Sequence, residues 1–172
     1  LAAIGAGLSF FHQGSLGGLY GVLQGRPFSF REGIAIWPST FFLFILSAIA
    51  VGPSFVLLTT RLVEKITGRR LVGGDVMPLL ARISGWLLLA YVLAKSLDTL
   101  VWINRTAPRV GYAPYLFYAQ QPFGTWILLA EIVALGFVPA LLLIRAARSR
   151  SMRQAVAGAS LAAAGIVLNR YV

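Results

Sequence analysis

At 172 residues, with 58% of them hydrophobic, 12% charged and a net charge of +10, the chain carries about half the charge of a soluble domain, too little to solvate its surface in water. The basic excess does not describe a nucleic-acid surface either, because the cations divide between two sets of loops on opposite faces of a membrane. With no cysteine, a disulfide, a nucleophilic thiol and a thiolate-ligated iron–sulfur cluster are excluded within this segment.

The apolar residues form runs of roughly 20, separated by short segments that hold nearly all the Arg and Lys. This pattern predicts an all-α, polytopic transmembrane helix bundle, a single domain over residues 1–172 with five spans at about 1–23, 36–60, 83–104, 125–144 and 155–171. Because Leu1 begins at full hydrophobicity and the last span stops at Val172, an internal fragment of a larger bundle is expected. A signal peptide would need a basic start, and it would not hold His12 and Gln13 mid-run.

The first span carries Ser9, His12 and Ser15 at helical spacing. Gly14 with Gly18, and Gly17 with Gly21, let a neighbouring backbone approach closely. Gly25 and Pro27 end it. The second span contains Pro53, a kink that is tolerable where neighbours satisfy the freed carbonyl. After it come Arg61, Lys65, Arg69, Arg70 and Arg82, with Gly73, Gly74 and Pro78 as breakers. On the third span Tyr91, Lys95, Asp98, Trp102 and Arg105 follow one another by three or four residues, forming one stripe. The segment from Thr106 to Phe123 carries Tyr112, Tyr115, Phe117 and Tyr118, as suits a lid over the outer mouth or a docking surface for a partner. The fourth span holds Glu131 and Pro139 and is followed by Arg145, Arg148, Arg150 and Arg153. The fifth has Ala155, Gly158, Ala162 and Gly165 in a small-residue register and ends at Arg170.

The nine basic residues in the loops after the second and fourth spans outnumber Arg26, Arg31, Arg105, Arg109 and Arg170 opposite, so the nine are assigned to the cytoplasm. Trp37, Trp102 and Trp126 fall at outer span ends and are expected in an interfacial belt.

An ionisable group within hydrocarbon costs a few kcal/mol or more and is seldom kept without a use. Five such groups fall inside spans: His12, Lys95, Asp98, Glu131 and Arg170. At about 1.5 Å rise per residue, His12 lies near the midplane, Asp98 and Glu131 about 10 Å below the outer boundary, Lys95 slightly deeper and Arg170 near that boundary. Polar stripes on separate helices suggest a lined cavity. A purely structural alternative pairs Lys95 with Asp98 and Glu131 with Arg170 for assembly. One histidine excludes bis-His haem within the segment, and Met77 and Met152 lie at the basic end, far from His12, against His/Met haem. No P-loop, zinc spacing or G-x-S-x-G motif occurs.

The run Leu8-Ser9-Phe10-Phe11-His12-Gln13-Gly14-Ser15-Leu16-Gly17 resembles the LSxxHQxSLG signature of NrfD-like integral membrane subunits. These include the polysulfide reductase membrane anchor and the b-type membrane subunit of nickel–iron hydrogenase complexes. Leu168-Asn169-Arg170-Tyr171 is similar to that family's late NRF or NRY stretch, with departures at Gly14 and Val172. The resemblance implies a respiratory-chain subunit that binds quinone, menaquinone or ubiquinone, in a bacterial or archaeal cytoplasmic membrane. It further implies no haem or iron–sulfur cluster of its own, electron exchange with a ferredoxin-like iron–sulfur subunit on the outer face, and no catalysis outside an oxidoreductase complex. In that setting His12 would bond a quinone oxygen beside Gln13 and Ser15. Tyr91, Lys95, Asp98 and Arg170 would complete the binding set. Asp98 would receive or relay the proton with Lys95 holding its charge, Glu131 would continue the relay, and Arg170 would anchor Asp98 or Glu131. A proton- or ion-coupled transporter and a passive anchor remain as rival classes.

Overall fold

The computed structural model describes residues 38–109 and 124–171, with isolated residues between; the first expected span, with His12, Gln13, Ser15 and Trp37, and most of the Tyr-rich segment lie outside the described residues. Four helices make up this part: α1 Pro38–Thr67, α2 Val76–Arg109, α3 Gly124–Ser149 and α4 Met152–Tyr171. No strand occurs among the described residues. This is a helical membrane bundle. Among the described residues, three helices are long and apolar enough to cross a bilayer, Phe42–Thr67 within α1 together with α2 and α3. Large apolar side chains such as Phe42, Ile49, Phe55, Leu93 and Leu141 point outward, as a hydrocarbon solvent requires and water forbids.

Each helix packs on its neighbours, α1 on α2, α2 on α3, α3 on α4 and α4 back on α1, while α2 and α4 also meet across the middle. The seams follow from small residues. A Cβ at Gly85 of α2 would lie 2.8 Å from Ile144 of α3, and one at Gly158 of α4 would lie 2.9 Å from Leu143. Ala155, Ala159 and Ala162 are buried beside Gly158, so the small-residue register of the last helix is a packing face.

Between α1 and α2 lies a buried polar seam. Ser84 Oγ donates to the Ala50 carbonyl at 2.7 Å and lies 2.7 Å from Ser54 Oγ. A serine has one proton, so with that of Ser84 on Ala50, Ser54 is the donor to Ser84. Pro53 has no N–H for the carbonyl four residues earlier, and the Ser84 bond falls one residue from that gap.

Prolines also explain two irregular stretches. α2 is π-helical over Trp102–Thr106 and α3 over Ala130–Phe137, each ending two residues before a proline, Pro108 and Pro139. The Ala107 N–H reaches the Trp102 carbonyl, and the Val138 N–H that of Val133, five residues back in both cases. Looser i→i+5 bonds reorganise the ladder where proline takes away a donor.

The α1–α2 loop and the α3–α4 turn lie at one end, where Arg150 contacts Asp75 at 3.0 Å. Both side chains are exposed, so the pair adds at most about 1 kcal/mol. It places the nine basic residues of the two loops and their flanking turns at the same end of the bundle.

Candidate functional site

On α2 the stripe anticipated from spacing faces inward at Tyr91, Asp98 and Trp102, all buried, with the Lys95 side chain 15% exposed. Arg105 leaves the stripe and is exposed, because the π-helical stretch from Trp102 changes the angular step per residue. Trp102 is fully buried within the bundle, so it is no interfacial anchor; Trp126, by contrast, is open on the outer surface.

The Lys95 ammonium donates to Glu131 Oε1 from α3 and to Asn169 Oδ1 from α4. The lysine thus joins three helices. Its ion pair with Glu131 crosses from α2 to α3. The Glu131 side chain is 4% exposed, and its Oε2 has no hydrogen-bond partner among the described residues.

This trio lines a cleft whose space, including its open side, is about 340 Å³. Tyr91, Leu88, Ile132 and Ile166 contribute to its otherwise apolar wall. Two glycines on the same wall set its width: a Cβ at Gly136 would lie 2.8 Å from Val92, and one at Gly165 2.5 Å from the Leu135 carbonyl. Counting from Arg82, Arg145 and Arg153 at the basic end, Lys95, Glu131 and Asn169 are each about 20 Å or more along their helices, in the half remote from the basic loops. A cation, an anion with a spare acceptor and an amide at the end of a greasy cleft suit a flat apolar molecule with polar edges.

Asp98 is buried one turn beyond Lys95 on the same face, outside the cleft wall. Arg170 belongs to the last turn of α4, and its side chain lies outside the described residues. Asn169, which a search for ionisable groups within spans does not find, sits in the late motif beside Arg170. No group of three or more metal-ligating side chains occurs among the described residues.

No family model and no solved structure matches the chain. One relative is the "Menaquinone reductase, integral membrane subunit" of Nitratidesulfovibrio vulgaris (strain Hildenborough), 46% identical over 172 residues, or 99% of this chain. Along its whole length the chain is similar to that subunit, in keeping with the NrfD-like resemblance of its motifs. It spans 41% of that relative's length. Of the NrfD-like motifs, the late one enters the described bundle, and through Asn169 it touches the buried lysine.

Proposed function

We propose that this chain forms part of the quinone-reactive membrane subunit of a respiratory oxidoreductase complex, with the cleft at Lys95, Glu131 and Asn169 as part of its quinone or quinol site. The observation that carries this reading is the buried carboxylate with one oxygen on Lys95 and the other without a hydrogen-bond partner among the described residues, at a cleft wall between helices. The relative's name, a menaquinone reductase membrane subunit, supports the substrate class.

A quinone/quinol couple exchanges two electrons and two protons, and each oxygen that changes protonation needs a donor or acceptor within reach. Glu131 Oε2 is suited to take a proton while Oε1 stays on Lys95. In this reading His12, with Gln13 and Ser15, bonds a ring oxygen, and Asp98 and Arg170 extend the route toward the outer face. The electrons pass to a ferredoxin-like iron–sulfur subunit docked there. The complex resides in the cytoplasmic membrane, with the nine basic residues on the cytoplasmic side.

The test is quinol turnover by the assembled complex carrying His12→Ala or Glu131→Gln. General acid–base participation predicts a fall of about 10²-fold or more with all subunits retained. Unchanged turnover in both variants refutes the reading, as does solute uptake into liposomes that quinone-site inhibitors leave untouched.

A further inference from the structure

A second feature, unrelated to the cleft, lies on the outside of the α2–α3 seam at the basic end. Gly85 of α2 and Ile144 of α3 mark where the two antiparallel helices touch. At about 100° per residue, Arg82 and Trp86 lie roughly 60° and 100° around α2 from Gly85, turned away from the buried Ser84, Ala81 and Leu88. On α3, Leu141 and Arg145 lie at corresponding angles from Ile144, and Arg148 at about 40°, turned away from the buried Leu143 and Ala140. Both sets flank one groove on the lipid side, and all five of these side chains are exposed.

The axial order within the groove is also informative. Measured from the Gly85–Ile144 crossing, Arg82, Arg145 and Arg148 lie about 1.5–6 Å toward the basic end, so three guanidinium-bearing positions from two helices share one level. Trp86 and Leu141 lie on the hydrocarbon side of that level. Neither Arg82, Arg145 nor Arg148 has an ion-pair partner among the described residues, whereas Arg61 has Glu64 and Arg150 has Asp75.

From this arrangement we infer that the groove is a binding site for an anionic phospholipid. Its phosphate is held by Arg82, Arg145 and Arg148, and an acyl chain lies along Trp86 and Leu141. Guanidinium forks match phosphate oxygens and release little hydration on contact, and basic grooves between helices at the cytoplasmic boundary recognise such head groups. An acidic protein segment would match the charge but not the lipid-facing apolar half of the groove.

The experiment uses the complete complex, purified with native lipid. Retained phospholipid is measured by mass spectrometry, and thermal stability is followed while cardiolipin or phosphatidylglycerol is added, with phosphatidylethanolamine as the neutral comparison. The triple variant Arg82→Gln, Arg145→Gln, Arg148→Gln is compared with Lys65→Gln, Arg69→Gln, Arg70→Gln, which removes equal charge from the neighbouring loop. Anionic lipid is expected to be retained and to raise Tm in wild type, and the groove variant should weaken its binding about a hundred-fold, with the loop variant close to wild type. Equal loss in both variants would mean diffuse surface charge and overturn the site. Loss of a protein subunit from the groove variant with lipid retained would assign the groove to a protein partner and overturn it equally. Should the groove variant fail to assemble, the wild-type titration decides: a Tm that responds alike to anionic and neutral lipid refutes the inference.

Discussion

Replacing Lys95 by Met would leave the Glu131 carboxylate, with a side chain 4% exposed, in an apolar wall with neither oxygen compensated by the lysine. Removing one partner of a buried ion pair costs about 3–5 kcal/mol, because the remaining charge loses its counter-ion without regaining water. Replacing both by apolar residues of similar size is close to neutral, since the desolvation of both charges disappears with their attraction. Lys95→Met is therefore expected to lower stability by about 3–5 kcal/mol, and Lys95→Met with Glu131→Leu by much less than the sum of the single changes. Glu131→Gln keeps an acceptor for the ammonium and should fall between. The assay is a double-mutant cycle on the purified complex by thermal or denaturant unfolding, where contacting residues show coupling of about 0.5–3 kcal/mol or more. Additive losses, with no coupling, would refute the bridge between α2 and α3. Quinol turnover should be impaired in all three variants, the double included, which separates the chemical role from the structural one.

Gly165→Ala should loosen the α3–α4 seam and lower Tm, because the new methyl would lie 2.5 Å from the Leu135 backbone carbonyl, whereas Gly73→Ala has open space and should be tolerated. Ser84→Ala should cost about 1–3 kcal/mol by stripping donor and acceptor from the α1–α2 seam, and Ser54→Ala less, because the Ser84 bond to Ala50 survives; equal losses on unfolding would contradict the donor order. Because the chain has no cysteine, single cysteines at Arg70 and Gly111 report sidedness directly: a membrane-impermeant thiol reagent applied from outside intact cells should label Gly111→Cys and spare Arg70→Cys.

Helices were legible from apolar runs and breakers, and the inward face of α2 from the three- and four-residue spacing of Tyr91, Lys95, Asp98 and Trp102. The correspondence ended where the helix stopped being α. Spacing alone extends the stripe to Arg105, but the π-helical turn before Pro108 carries that side chain outward. Trp102 was read from its position at a span end, and position along a helix does not say which way the ring faces. The bridge from Lys95 to Glu131 and Asn169 was harder still, since these residues are 36 and 74 apart in sequence and their meeting depends on how three helices are arranged. Asn169 had a signal only in the late motif, because a neutral amide raises no alarm in hydrocarbon as a charge does. His12, the strongest motif residue, lies outside the described residues, and the described cleft walls come from α2, α3 and α4 with Val51 of α1.

The π-helical stretch of α3 offsets the angular setting of the helix on its Glu131 side from that of the half beyond Phe137 at the basic end. Gly136 against Val92 and Leu135 against Gly165 hold that offset in place. A lineage that gained or lost one residue between positions 130 and 137 would have to repack these contacts, while those beyond Phe137 keep their register. Such a change would swing the carboxylate by about 100°, re-aiming the chemistry at another neighbour while the basic end stays as it was.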